Sequence, residues 1–167
     1  MARAASIPGL RPLLPTDAPR LAELFRASVE TLAAEDYDED QRSAWAAAAD
    51  DAEAFANKLA GALTIVASLD GELAGFAALR ENKLFDMLYV HPRAARRGVG
   101  SALADALEKL AAARGAREIS VDASDAAKDF FAQRGYVAYQ RNMRELRGEW
   151  LANTTMKKTL ESKAETK

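Results

Sequence analysis

Residues Asp86 to Leu103, DMLYVHPRAARRGVGSAL, constrain this chain more than any other stretch. An apolar run that reads as a strand meets a His-Pro turn, two arginines and two glycines, and then a helical pattern begins near Ser101. Gly98 and Gly100 lack Cβ atoms, so the backbone there can turn tightly and come close to a ligand. The helix that follows directs its unpaired N–H groups, and the positive end of its dipole, back at the loop. Arg96 and Arg97 add charge and forked donors at the same place. Strand, glycine bend, helix N-terminus and arginines together make an anion site suited to a pyrophosphate.

The rest of the chain sets the frame for that loop. A length of 167 residues with 49% apolar content fits one domain around one core, and a formal net charge of −2 gives no global pull toward nucleic acid or an anionic membrane. The chain has no cysteine, which removes disulfides, Cys-based metal sites and a Cys nucleophile; no metal site is expected. No apolar run approaches the ~20 residues that span a bilayer, and residues 1–10 lack a secretory apolar region, so the expected location is cytoplasmic.

The periodicities predict an arm over residues 1–9, a domain over 10–160 and a polar tail over 161–167. A brief strand near Arg11 precedes a helix capped by Thr16 or Asp17, whose buried stripe is Leu21, Leu24, Phe25 and Val29. Two further helices cover about 39–49 and 50–59. Strands follow at 63–69 and 73–79, joined by the hairpin signal Asp70-Gly71, and a third at 83–90 stops at Pro92. A helix over 101–114 separates that third strand from one at 118–123, so those two are expected to be parallel neighbours. A short helix over 125–133 and a hairpin, 136–146 with 149–159, complete the chain. The expected class is α/β (α+β): a mixed central sheet with helices on both faces.

At this point the residues resemble the GNAT superfamily of acyl-CoA-dependent N-acetyltransferases. Its loop reads Gln/Arg-x-x-Gly-x-Gly/Ala; here it is Ala95-Arg96-Arg97-Gly98-Val99-Gly100, with Ala95 departing from the first position. Val90-His91-Pro92 resembles the usual strand exit. The run from Ala127 to Tyr136, AKDFFAQRGY, resembles the family's Ala-x-x-Phe-Tyr-x-x-x-Gly-Phe helix and turn. Tyr37, Gln41, Trp45, Phe85 to Leu88, Val121 to Ser124 and Arg147-Gly148 with Asn153 are similar to a bacterial YafP-type branch.

The resemblance implies a GNAT fold with a splay between two parallel strands, and acetyl-CoA as cosubstrate without a metal. It implies transfer of the acetyl group to a primary amine, of a small molecule, by direct attack; a homodimer is one arrangement the family adopts. Leu88, Tyr89 and Val90 would offer main-chain bonds to the pantetheine arm, with a backbone N–H near Leu88 polarising the thioester oxygen. Arg96, Arg97, Gly98, Val99, Gly100 and Ser101 would hold the pyrophosphate, and Ser124, Ala127 and Phe131 would line the far side. Tyr37 and Trp45 would wall the acceptor pocket.

An alkyl amine must lose a proton before it attacks. Asp86 and Asp122 are the candidate bases: each lies in an otherwise apolar strand flanking the splay, where partial desolvation would make a carboxylate more basic. Phe131 stands where many family members carry a tyrosine general acid, and a phenyl ring has no proton to give; Tyr89 or Tyr136 are the candidate replacements. His91 reads as loop surface, and Glu30, Glu35 and Asp36 as a solvated acidic group. A dinucleotide-binding unit is disfavoured by Leu103, where a third glycine would stand, and no Gly-Lys-Ser/Thr supports a P-loop. The alternative function is a CoA-binding sensor or interaction module without transferase activity, which Ala95 and Phe131 favour.

Overall fold

The computed structural model describes residues 7–161. The expected arm and tail therefore fall outside it apart from residues 7–9 and 161, and Gly9 already belongs to the first strand. The elements are β1 (Gly9–Pro12), α1 (Ala18–Leu32), α2 (Glu39–Ala46), α3 (Ala52–Ala60), β2 (Leu63–Leu69), β3 (Glu72–Arg80), β4 (Leu84–Val90), α4 (Val99–Ala113), β5 (Glu118–Ser124), α5 (Lys128–Gln133), β6 (Val137–Leu146) and β7 (Glu149–Thr159). The seven strands form one sheet in the order β1-β2-β3-β4-β5-β7-β6.

Local chemistry explains the main boundaries. Asp17 precedes α1 without capping it; its buried carboxylate instead takes the Arg11 guanidinium at 2.7 and 2.9 Å and the Leu14 N–H at 2.7 Å, tying the exit of β1 to the helix. The Arg11 bond is the chief reason the Asp17 carboxyl is held below its ordinary value. A capping box between Asp38 and Gln41 starts α2, which ends at Ala46 in a short 3-10 turn, three residues before the expected end. Asp70 and Gly71 both have positive φ, the backbone a tight two-residue hairpin demands.

Helices cover both faces of the sheet. On one face α4 places Val99, Leu103, Leu107 and Ala111 against Ala67, Ala77, Leu79 and Phe85. On the other, Leu21, Phe25 and Val29 of α1 and Phe55 and Leu59 of α3 pack on Val66, Phe76, Ala78 and Met87. Trp150, on β7 of the final hairpin, is 54% exposed.

Two irregularities shape the middle of the sheet. Phe85 pairs with Leu79 and Met87 with Ala78, so Asp86 is an extra residue in β4, a β-bulge. The bulge turns Phe85 toward the α4 face and Met87 toward the α1 face, which simple alternation would forbid. The second irregularity is Gly75. A Cβ there would lie 2.9 Å from the Tyr89 carbonyl oxygen, 2.9 Å from Val99 Cγ1 and 3.1 Å from Leu103 Cδ1. Gly75 is what lets the first turns of α4 lie so close to β3. Gly75→Ala should cost about 1–3 kcal/mol, since a backbone oxygen cannot rotate away; urea unfolding checks it, and an unchanged midpoint would show that α4 has room to move.

Candidate functional site

The arginine-glycine loop is built from backbone conformation. After β4, His91 accepts the Arg93 N–H at its Nδ1 (3.2 Å) and caps a 3-10 turn over Pro92–Ala94. Burial and the adjacent Arg93 hold its imidazole below the ordinary histidine value. Arg96 (φ +62°) and Gly98 (φ +84°) are both left-handed, and such reversals turn successive N–H groups toward one concavity. Helix α4 starts at Val99, two residues before the sequence pattern suggests, and its first bond runs from the Ala102 N–H to the Gly98 carbonyl at 3.0 Å. The N–H groups of Val99, Gly100 and Ser101 therefore leave the helix end unpaired by the helix itself. Arg96 lines the adjoining cavity. Arg97 does not; its guanidinium pairs with Asp70 on the β2–β3 turn at 3.0 Å.

Beside this loop the sheet opens. Strands β4 and β5 are parallel and pair only at Leu84 with Ser120 and Phe85 with Val121. Past the bulge at Asp86 they diverge, while β5 stays paired with β7 through Ser124. The gap holds a cavity of ≈ 490 Å³ lined by Leu88, Tyr89, Val90, Arg96, Gly98, Val99, Gly100 and Ser101 on one side and by Ser124, Ala127, Phe130 and Phe131 on the other. The His91 N–H bonds the Ala74 carbonyl at 2.8 Å. Antiparallel bonding alternates, so Val90 and Leu88 direct their own N–H and C=O groups away from β3, into the gap. Tyr89, in between, spends its main-chain groups on Phe76, which removes it from the expected set of main-chain donors.

A second cavity of ≈ 290 Å³ continues the first and shares Trp45, Asp86, Tyr89, Asp122 and Ser124 with it; Tyr37, Phe55, Lys58 and Arg144 complete its wall. Both expected carboxylates thus line the opening, and each has partners there. Asp86 Oδ2 takes Arg80 at 3.1 Å and Lys58 at 3.8 Å, whereas Oδ1 has no hydrogen bond among the described residues. Asp122 is exposed and accepts the Thr155 hydroxyl at 2.7 Å.

The aromatic wall is continuous. Tyr37 and Trp45 stack edge-on at 5.5 Å and Trp45 and Tyr89 at 6.2 Å, and the indole N–H donates to the Tyr89 hydroxyl at 3.2 Å. Burial pushes the Tyr89 phenol up to about 12, so it stays protonated at any working pH. Tyr37 also acts as a clamp: its hydroxyl donates to the Ala152 carbonyl at 2.6 Å and accepts the Asp125 N–H at 2.9 Å, joining β5 to β7 where the gap ends. Phe131 is 2% exposed and meets Phe85 and Tyr136 edge to face or tilted. Tyr136 is ruled out as a replacement acid, because its hydroxyl points away from both cavities and donates to Glu108 at 2.8 Å.

Arg80, Lys58 and Arg144 were not legible as site residues. Their positions depend on the bulge and on how β6 and α3 approach the gap, neither of which has a local sequence signal.

A family model described as an acetyltransferase (GNAT) domain matches residues 33–160. YafP of Escherichia coli strain K12, described as an uncharacterized N-acetyltransferase, is 35% identical over 148 residues, covering 89% of this chain and 93% of YafP. The crystal structure of a GCN5-related N-acetyltransferase from Rhodopseudomonas palustris is 56% identical, with a TM-score of 0.92 over 96% of this chain and 100% of that one. PaiA N-acetyltransferase from Thermoplasma acidophilum, solved in complex with coenzyme A, shares the fold at 21% identity, with a TM-score of 0.76 over 92% of this chain and 99% of its own. The diverging strands, the glycine bend at the start of α4 and these matches lead to one conclusion: the chain belongs to the GNAT family of acyl-CoA-dependent N-acetyltransferases.

Proposed function

We propose that this protein transfers the acetyl group of acetyl-CoA to the primary amine of a small molecule by direct attack. One observation carries the reading: the gap between β4 and β5 runs from the unpaired N–H groups of α4 to a separate aromatic cavity, with the free main-chain edge of Leu88 and Val90 along its side. The bend from Arg96 to Ser101 would take the pyrophosphate, with Arg96 the charged side chain turned to it. The edge of β4 would hold the pantetheine arm as a strand holds its neighbour, against Ser124, Ala127 and Phe131. The Leu88 N–H would stabilise the oxyanion formed when the amine attacks.

In this reading Asp86 Oδ1, the carboxylate oxygen left free beside both cavities, takes the amine proton, directly or through water, and Asp122 is the second candidate. The thiolate then leaves as the carbonyl re-forms. Phe131 gives that step no proton, and Tyr89, which lines both cavities, is the candidate hydroxyl beside it. A cytoplasmic location belongs to the same reading.

Thiol release from acetyl-CoA in the presence of varied amines tests it. Asp86→Asn should lower kcat by about 10²-fold or more, the scale of general base catalysis, with acetyl-CoA affinity nearly unchanged. Full turnover in that variant, and its loss in Asp122→Asn, would move the proton to Asp122. Tight CoA binding without thiol release on any amine would leave a CoA-binding module, the reading that Phe131 favours.

A further inference from the structure

The smaller cavity has a charge pattern that discriminates among amines. Its walls are aromatic, from Phe55, Trp45 and Tyr89, and its charged groups are Lys58, Arg144, Asp86 and Asp122. The carboxylates are already engaged. Asp86 binds Arg80 and Lys58 through Oδ2, and Asp122 is exposed to water and bonded to Thr155. The acidic residues Glu30, Glu35 and Asp36 line neither cavity. Arg144, on β6, is the opposite case: among the described residues its guanidinium has no ion pair and no hydrogen bond. Its charge nevertheless reaches the Tyr89 hydroxyl, where it favours the phenolate and opposes the upward push of burial. Counting Arg80 behind Asp86, three cations face two carboxylates at this end of the gap. A polyamine or other polycation entering here would meet Lys58 and Arg144, with Asp122, exposed and bonded to Thr155, the one lining carboxylate that lacks a cation partner among the described residues.

We propose that the acceptor is an amine that carries its own oxyanion, a carboxylate or a phosphate, and that Arg144, assisted by Lys58, binds that group while the amine lies toward Asp86 and Leu88. This names the substrate class for the acetyl transfer proposed above and rests on that reading. An arginine fork suits a planar carboxylate bidentately, and an unpaired one at the edge of a small aromatic cavity is placed to select for it.

The test uses matched acceptors: an aromatic amino acid, its amide, and the decarboxylated amine, each with acetyl-CoA and the full-length protein. The free carboxylate should win by about tenfold or more in kcat/KM, the worth of one charge-assisted hydrogen bond. Arg144→Gln should remove most of that preference, chiefly through KM, and Arg144→Lys should restore part of it. A matched aminoalkyl phosphate assigns the oxyanion: faster turnover than the carboxylate would make it a phosphate. Equal or faster turnover of the decarboxylated amine, or a preference that survives Arg144→Gln, would overturn the proposal while acetyl transfer itself stood. If no amine releases thiol, the transferase reading fails separately. Calorimetry of the same acceptors on the CoA-loaded protein then decides this one: carboxylate binding that Arg144→Gln abolishes supports it, and indifference to the carboxylate sinks it.

Discussion

Replacing Gly98 by aspartate is expected to weaken acetyl-CoA binding by about a hundredfold or more. The position is the left-handed cap of α4, with φ +84°, and a Cβ built there meets no atom within 4 Å. The side chain therefore fits, and the damage comes from charge and backbone. A carboxylate about 4 Å from a diphosphate costs on the order of 4 kcal/mol per charge pair at the effective dielectric of a protein surface, which is near a thousandfold in affinity. Gly98→Ala separates the two effects. It carries only the left-handed strain, roughly 1–2 kcal/mol of stability, and should bind acetyl-CoA far better than the aspartate variant. Calorimetric titration reads both. Wild-type affinity in Gly98→Asp would mean that the bend holds no phosphate, and the functional reading would lose its anchor.

The bend was legible in the sequence because its cause is local. Glycines, arginines and a following helix specify it over a few residues, and the hairpin at Asp70-Gly71 and the stop at Pro92 are local in the same way. The parallel placement of β4 and β5 also followed from the helix between them. What the sequence did not disclose is how those strands part. Two paired positions and a bulge at Asp86 decide that, and the bulge shows only as a mismatch in register with β3. The same mismatch sets the surroundings of Asp86: its strand flanks the gap as expected, but the extra residue brings it within reach of Arg80 and Lys58, which no strand pattern announces. Gly75 was overlooked for a related reason: an isolated glycine in a strand carries no sign of which helix needs the space. Tyr37 and Trp45 do line the cavities, yet the clamp made by the Tyr37 hydroxyl joins residues 88 and 115 positions away and has no pattern in the chain.

Glu108→Ala should destabilise the fold by about 3–5 kcal/mol, the cost of removing one partner from a buried charge cluster. Glu108 sits on the inner side of α4, 7% exposed, among residues that otherwise read as a plain apolar stripe. It accepts Arg134 at 2.9 and 3.3 Å, Lys158 at 2.9 Å and the Tyr136 hydroxyl at 2.8 Å, so one carboxylate joins α4, the α5–β6 turn and β7. Truncation leaves three donors facing an empty space; Tyr136→Phe, which removes a single hydroxyl, should cost only about 1 kcal/mol. Burial first, and then the Glu108 charge, raises the Tyr136 phenol above its ordinary value of 10.0. Being raised in the folded state, that group lends stability fully below about pH 10 and loses it as alkali rises further, with no effect at neutral pH. Urea unfolding of the variants at pH 7 measures the cluster, and a fall in melting temperature on the order of 10 °C should accompany the alanine substitution. A loss under about 1 kcal/mol would show that water replaces the carboxylate freely and that α4, whose first turn carries the proposed phosphate site, is held by its apolar face alone.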